Sequence, residues 1–135
     1  ATRLGIPVTN VPAYCLDEVA EHALALVLAC ARRIVRYDEA LHRGDWSLRT
    51  GMPMFRVHGQ TLGIVGLGKI GRTVARKAGS LGLRCLAFDP HLPDAVFREH
   101  GVEATSLEDL LGRQGVRCPP GAGVAAAQQI LATAT

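Results

Sequence analysis

Three glycines with the spacing of a phosphate-binding turn are the residues of this chain best suited to chemistry: Gly66, Gly68 and Gly71. In the pattern Gly-x-Gly-x-x-Gly, the first glycine permits a tight turn out of a strand, and the second lets a diphosphate approach the backbone. The third lets the following helix pack closely on the strand. Unpaired N–H groups and the positive dipole end of that helix attract phosphate. The backbones of Lys69 and Ile70 are therefore expected to contribute to binding, with a minor role for the Lys69 side chain.

An acidic residue at a suitable distance supports this interpretation. Asp89 lies 18 residues after Gly71 and follows the next apolar segment. Its carboxylate is expected to accept hydrogen bonds from the ribose hydroxyls of an adenosine. A 2′-phosphate would be repelled by the same charge, and no arginine directly follows Asp89, so the sequence favours NAD over NADP. Two alternatives stay open: the glycine pattern is a chance turn in an unrelated α/β protein, or Lys69 is a solvated first-turn residue.

The glycines lie between segments that predict a strand, a helix and a second strand. The apolar run over residues 61–66 is typical of a buried parallel strand. A helix over 72–81 follows, ended by Gly82, and a second apolar strand over 83–88 leads to Asp89. The predicted fold is therefore α/β, a Rossmann-type parallel sheet.

Three further elements are predicted after the second strand. They are a short helix, a third strand and another helix, over 93–100, 102–105 and 107–111. A capping box of Thr105 and Glu108 is expected to open the last of these helices. Beyond it, residues 112–135 lose the alternation of strand and helix, and they predict a weakly ordered tail with a short helix over 125–131 as its one candidate element.

Upstream of the glycines the sequence predicts a strand, a long helix and an arm. Residues 1–12 alternate in polarity, which predicts a strand that Pro12 ends. Apolar residues recur at helical spacing over 16–41, which predicts one long helix with a buried first half. Residues 44–59 lack any period and predict an irregular arm with four apolar anchors: Trp46, Met52, Met54 and Phe55. Such an arm needs a surface to pack on, either its own domain or another subunit.

Composition and charge argue against several classes of protein. Of 135 residues, 48% are hydrophobic and 20% are charged, which argues against wholesale disorder. The net charge of +3 is too small and too dispersed to predict direct binding of nucleic acid. The longest apolar run, 23–31, is far shorter than the roughly 20 residues that span a bilayer, and no secretory signal opens the sequence. A soluble, cytoplasmic chain without a membrane partner is expected.

Histidines and cysteines show no pattern of a metal site or a nucleophile. The four cysteines lack Cys-x-x-Cys spacing and are expected to be small, buried apolar residues, with metal or disulfide use as the alternative. His22 is expected to be a hydrogen-bonded structural residue in the buried helix. The other four histidines lie in loops or at helix ends, without zinc-ligand spacing. No residue of this chain is therefore assigned a catalytic or metal-binding role.

Taken together, the segments resemble the NAD-binding part of the D-isomer-specific 2-hydroxyacid dehydrogenases. The resemblance covers roughly residues 1–111, and six blocks carry it: 5–12, 19–23, 44–46, 59–71, 88–90 and 106–111. The block 59–71 is the most specific. Within the family, the arm and residues 10–14 most resemble the branch that contains phosphoglycerate dehydrogenases and C-terminal-binding-protein corepressors.

The resemblance implies that the motif residues hold NAD. These cofactor-binding positions are Gly66, Gly68, Lys69, Ile70, Gly71 and Asp89. The parent protein would be an oxidoreductase that interconverts a D-2-hydroxyacid and a 2-oxoacid by hydride transfer, with a histidine as the acid or base. The family's substrate loop would lie upstream of Ala1, and its catalytic arginine, glutamate and histidine would lie downstream. This chain alone is therefore expected to be inactive.

The resemblance also implies a division of the chain and a partner. Residues 1–12 would be the end of a substrate-domain strand and a hinge, residues 13–111 an incomplete NAD-binding domain, and residues 112–135 a divergent, truncated or frame-shifted tail. Cys118-Pro119 would be the remnant of a family dipeptide. The long helix and the arm would form a homodimer interface. Two alternatives to the enzyme are an NAD-sensing dimeric corepressor and an inactive truncated fragment.

Overall fold

A three-stranded parallel sheet organises the computed structural model, which describes residues 1–113. Its strands are β1 (Thr61–Val65), β2 (Arg84–Phe88) and β3 (Glu103–Ala104), in the order β1–β2–β3. β1 and β2 pair from Thr61 opposite Arg84 to Val65 opposite Phe88. Parallel neighbours require a crossover connection, and here a helix supplies it. The predicted α/β fold with a Rossmann-type sheet is confirmed.

Five α-helices and two short 3-10 turns complete the described chain. The helices are α1 (Leu16–Ala31), α2 (Ile34–His42), α3 (Lys69–Ser80), α4 (Asp94–Glu99) and α5 (Leu107–Arg113), and the turns are Thr2–Leu4 and Leu48–Gly51. Helix α3 is the crossover between β1 and β2, and it begins inside the glycine motif rather than at Arg72. Gly82 follows it with a φ of 75° and ends it as predicted. No helix within residues 1–113 is long and apolar enough to cross a membrane.

The hydrophobic core lies between the sheet, α3 and α1. Its buried residues include Ala20, Leu24, Ile64, Leu67, Val74, Ala75, Ala78 and Phe97. Ile64 and Leu67 are fully buried, and each such burial contributes roughly 1.5–3 kcal/mol. Leu81, the C-cap residue just beyond α3, is 39% exposed.

Ion pairs hold α1 against α3 at the edge of this core. The ammonium of Lys77 lies 3.0 Å from the carboxylate of Asp17 and donates a hydrogen bond to Glu21. The Glu21 carboxylate, with Asp17 as the second contributor, raises the pKa of Lys77. Arg76 adds a longer contact of 3.6 Å to Asp17. The charged residues of the two helices therefore face each other with opposite sign.

The single long helix predicted over 16–41 is wrong. Helix α1 ends at Ala31, Arg33 takes a left-handed φ of 57°, and α2 begins at Ile34. Arginine has a high helix propensity, so neither composition nor periodicity marks this break. The first half is also less buried than predicted. Only Ala20 and Leu24 of α1 are buried, because α3 covers one side of this helix.

The strand predicted over residues 1–12 is also wrong. After the turn Thr2–Leu4 this segment has no regular structure, and its apolar residues are exposed. A strand needs a neighbour to pair its N–H and C=O groups. The three strands of the described chain pair only with one another, so residues 1–12 have no neighbouring strand with which to pair.

The capping pair of α5 lies one residue later than predicted. The hydroxyl oxygen of Ser106 accepts a hydrogen bond from the N–H of Asp109 at 3.1 Å and donates one to its carboxylate at 3.0 Å. The N–H of Thr105 is bonded to the carbonyl of Ala87, so it is not available to the Glu108 side chain as the predicted capping box requires. The helix continues to Arg113, two residues past its predicted end. The predicted helix over 125–131 and the Cys118-Pro119 dipeptide lie outside the described residues.

The arm over 44–59 is irregular, as predicted, and folds back onto α2. The Tyr37 hydroxyl donates a hydrogen bond of 2.8 Å to the carbonyl of Leu48. A Cβ on Gly51 would collide with the Tyr37 ring, so the contact depends on glycine there. The Asp45 carboxylate accepts hydrogen bonds from Thr50 and from the N–H of Ser47, and these lower the pKa of Asp45. The arm therefore has a defined local structure.

Candidate dinucleotide-binding site

The glycine motif forms the turn between β1 and α3, at the carboxyl end of the parallel strands. Gly66 has a φ of 88°, and its N–H donates a hydrogen bond of 2.8 Å to the carbonyl of Phe88. A Cβ on Gly71 would collide with the carbonyl oxygen of Gly66, whereas a Cβ on Gly68 would meet no atom within 4 Å. The outer glycines therefore shape the turn, and the middle one leaves open space beside the backbone.

Helix α3 begins with backbone N–H groups that have no acceptor. Gly68 is its N-cap residue and has no side chain to cap it. Within residues 1–113, no acceptor pairs with the N–H of Gly68, Lys69 or Ile70, and the helical hydrogen bonds begin with Arg72 to Gly68 at 3.0 Å. Unpaired donors at the positive end of a helix favour an anion. The open space at Gly68 and these donors fit a diphosphate.

Asp89 lies directly against this turn. One carboxylate oxygen accepts a hydrogen bond of 2.9 Å from the N–H of Leu67, and the other accepts one of 3.0 Å from the N–H of His91. The residue is half-buried. An ionised carboxylate has about four lone-pair sites, so two backbone donors leave capacity for the hydroxyls of a ribose. The structure therefore brings Asp89 and the glycine turn together, as the spacing predicts.

The side chains of Lys69 and Ile70 point to other parts of the chain. The Lys69 ammonium donates a hydrogen bond of 2.8 Å to the carbonyl oxygen of Pro12. Ile70 is partly buried and packs against the hydrophobic core. What both residues present to the open space is thus their backbone.

The structure adds one contact at the turn that the sequence analysis missed. The Nε of Arg72 donates a hydrogen bond of 2.9 Å to the carbonyl oxygen of Leu67. Helical side chains lean toward the amino end of their helix. An arginine in the first turn therefore reaches back over the loop before it, and that rule could have identified Arg72 from its position alone.

Histidines and cysteines form no candidate metal site in the part of the chain that the structure describes. His22 is exposed, so its predicted place in a buried helix is wrong, because that side of α1 is uncovered. Cys15, Cys30 and Cys85 form no disulfide within residues 1–113, and Cys15 and Cys30 are only partly buried. Cys85 is a buried core residue, as predicted, and burial raises the pKa of its thiol. Cys118 lies outside the described residues.

Comparison with known protein sequences identifies a family with an NAD-binding domain. Residues 24–116 match the sequence model of the D-isomer specific 2-hydroxyacid dehydrogenase, NAD binding domain. The chain is 40% identical over 113 residues to a D-3-phosphoglycerate dehydrogenase of Mycobacterium tuberculosis, covering 84% of this chain and 21% of that protein. It is 44% identical over 117 residues to a glyoxylate reductase of Aeropyrum pernix, covering 82% of this chain and 35% of that protein.

Solved structures show the same relationship. The apo-structure of D-lactate dehydrogenase from Escherichia coli has 39% identity and a TM-score of 0.69, covering 84% of this chain and 35% of that one. D-lactate dehydrogenase from Aquifex aeolicus, complexed with NAD and lactic acid, has 31% identity and a TM-score of 0.72. The match covers 83% of this chain and 33% of that one. The chain thus spans between about a fifth and about a third of the length of these relatives. It belongs to the D-isomer-specific 2-hydroxyacid dehydrogenase family, within the NAD-binding domain.

Proposed function

We propose that this chain is the NAD-binding portion of an oxidoreductase that interconverts a D-2-hydroxyacid and a 2-oxoacid. The observation that carries the proposal is the hydrogen bond between the Asp89 carboxylate and the N–H of Leu67, beside the free donors of α3. The relatives described above are named as dehydrogenases and reductases of small acids. The alternative of an NAD-sensing corepressor is therefore not favoured.

Each residue of the motif has a separate task in this proposal. The N–H groups of Gly68, Lys69 and Ile70 bind the diphosphate. Gly66 and Gly71 fix the path of the turn, and Asp89 binds the adenosine ribose. NAD, when bound, supplies the acceptor for a hydride from the substrate carbon. The part played by this chain is to hold and orient the adenosine and diphosphate.

The charge of Asp89 underlies the preference for NAD. A 2′-phosphate on the ribose would lie beside this carboxylate, and like charges at that distance repel. Removing the charge by Asp89→Ala should therefore reduce the discrimination between NAD and NADP. Asp94→Ala is the matched control, because Asp94 is an exposed carboxylate on α4 and, within residues 1–113, no hydrogen bond or ion pair links its side chain to the turn.

Isothermal calorimetry of the full chain with NAD and with NADP tests the proposal. We expect tighter binding of NAD by about tenfold, equivalent to about 1.4 kcal/mol, and a much smaller ratio in Asp89→Ala. Asp94→Ala should keep the ratio of the unaltered chain. Tighter binding of NADP than of NAD would contradict the role of Asp89, and no binding of either nucleotide would contradict the proposed function.

We further propose that the parent protein is a homodimer through α1, α2 and the arm. The arm packs on α2 but leaves its large apolar side chains outside: Trp46 is 84% exposed and Leu48 is 80% exposed. Ile34 and Val35 of α2 are 55% and 63% exposed. Large exposed apolar side chains on neighbouring elements favour an interface, and a twofold axis would use it twice.

Sedimentation equilibrium at micromolar concentration tests this association. We expect a dimer, or larger aggregates, for the unaltered chain and a monomer for the double variant Trp46→Glu, Leu48→Glu. Leu111→Glu serves as the control, because Leu111 is an exposed apolar residue outside the arm. A monodisperse monomer of the unaltered chain, with the arm resistant to protease, would show the dimer proposal to be wrong.

The division of the chain and its location belong to the same proposal. Residues 1–12 serve as the hinge, and the hydrogen bond from Lys69 to the carbonyl of Pro12 supports a boundary near Pro12, where this segment meets the NAD-binding domain. Residues 13–111 form the incomplete NAD-binding domain, and residues 112–135 form the tail. Cys15, Cys30 and Cys85 form no disulfide within the described part of the chain, which suits a reducing compartment and supports a cytoplasmic location.

A further inference from the structure

We infer that Arg72 is a positioning residue that sets the direction of the Gly68 N–H in the dinucleotide turn, an inference that rests on the proposed NAD site. The peptide groups on both sides of Leu67 are held by side chains. Asp89 accepts a hydrogen bond from the N–H of Leu67, and Arg72 donates one to its carbonyl oxygen, both at 2.9 Å. The Leu67 side chain is fully buried. Leu67 is thus held by two backbone hydrogen bonds and by its buried side chain.

The carbonyl of Leu67 and the N–H of Gly68 belong to one planar peptide group and point in opposite directions. When Arg72 holds the carbonyl, it therefore turns the N–H of Gly68 away from itself. That N–H has no acceptor within residues 1–113, and the space beside Gly68 is open. If this peptide flipped, it would present a carbonyl oxygen to a diphosphate in place of a donor.

Arg72 has no competing partner among the described residues. No carboxylate of residues 1–113 forms a salt bridge with it, and its side chain is half-buried. Arg76, one turn later on the same helix, is exposed and pairs with Asp17 at 3.6 Å. The two arginines carry the same charge on one helix, but only Arg72 contacts the turn.

Two substitutions separate the donor of Arg72 from its charge. In Arg72→Gln, the side-chain Nε2 takes the place of the arginine Nε, so the donor stays while the charge is lost. In Arg72→Met, a methyl group takes that place, so both are lost. Arg76→Met removes the same charge from the neighbouring turn without touching Leu67. The three variants together distinguish positioning from attraction of an anion.

Hydrogen exchange of the Leu67 amide in the free full-length chain, followed by NMR, needs no ligand. The Leu67 N–H keeps its hydrogen bond to Asp89 in every Arg72 variant, so its protection reports how readily the turn opens. We expect Arg72→Met to lower this protection about fivefold, because the closed turn then loses one ordinary hydrogen bond, that from Arg72 to the Leu67 carbonyl. Arg72→Gln and Arg76→Met should stay within about twofold of the unaltered chain. Equal protection in Arg72→Met and the unaltered chain would overturn the inference, and so would equal loss in the Gln and Met variants.

Calorimetry with NAD then measures the consequence for binding. Arg72→Met should raise the Kd for NAD about fivefold, while Arg72→Gln and Arg76→Met change it by less than about twofold. Equal weakening in the Gln and Met variants would assign the effect to charge and overturn the positioning role. If the unaltered chain bound no NAD, the proposed function would fail, and the exchange measurement would still decide whether Arg72 holds the turn.

Discussion

The Lys69 ammonium donates a hydrogen bond of 2.8 Å to the carbonyl oxygen of Pro12, across 57 residues of sequence. Lys69 is the first residue of α3, so the contact joins the helix that bounds the dinucleotide turn to the end of the N-terminal segment. That segment has no strand partner within the described chain, and its apolar side chains are exposed. This hydrogen bond therefore ties the segment down beside the turn.

Replacement of Lys69 should loosen the N-terminal segment. We expect chymotrypsin to cleave after Tyr14, which is 75% exposed, about two- to fivefold faster in Lys69→Met, because one exposed hydrogen bond contributes roughly 0.5–1 kcal/mol. Lys69→Arg keeps a donor and should cleave at nearly the unaltered rate. Cleavage rates are read from mass spectra over time. An unchanged rate in Lys69→Met would show that the hydrogen bond does not hold the segment.

Gly71 should be intolerant of a side chain. In Gly71→Ala the new Cβ would collide with the carbonyl of Gly66, and we expect a loss of roughly 1–3 kcal/mol in the free energy of unfolding. Gly79→Ala is the matched control on the same helix, because a Cβ there meets nothing within 4 Å. It should stabilise the fold by about 0.5–1 kcal/mol. Urea denaturation measures both, and equal stabilities would refute the packing argument.

Alanine in place of Gly68 should leave the stability of the fold nearly unchanged but weaken NAD binding. Its φ of −70° is allowed for any residue, and a Cβ would meet no protein atom. The same Cβ would occupy the space that a diphosphate needs. We expect Gly68→Ala to change the free energy of unfolding by only about 0.5 kcal/mol and to weaken NAD binding about tenfold or more. Undiminished affinity would mean that the diphosphate lies elsewhere.

The Lys77 ion pairs predict a dependence of stability on alkaline pH. Because the neighbouring carboxylates raise the pKa of Lys77 above 10.5 in the folded chain, the pairing stabilises the fold fully below that pH. The contribution is lost as the pH rises through the higher folded value. Urea denaturation between pH 9 and 12 should therefore show a steeper loss of stability in the unaltered chain than in Lys77→Met. Parallel curves would contradict the pairing of Lys77 with Glu21 and Asp17.

The parts of the site that follow from local sequence were predictable. Gly66 and Gly71 indicate a turn because a side chain at either position would be strained or would collide, and Gly68 leaves space beside the backbone. Asp89 adjoins that turn because β2 is the parallel neighbour of β1. These features depend on short stretches of chain and on one rule of topology.

The features that the sequence analysis missed depend on competition between distant groups. The break at Arg33 occurs in a segment with good helix formers. Ser106 rather than Thr105 caps α5, and the N–H of Thr105 is bonded to Ala87 instead of the Glu108 side chain. Lys69 reaches Pro12 through space rather than along the chain. The types and spacing of residues do not reveal with which of several possible partners a backbone group forms its hydrogen bond.

Leu67 serves the hydrophobic core with its side chain and the dinucleotide turn with its peptide groups. A change that trims this side chain would leave a cavity under the turn and release the backbone above it. A smaller residue at position 67 would therefore lower both thermal stability and cofactor affinity. Selection for either property thus preserves the other. An enzyme of this lineage could not trade one for the other at Leu67.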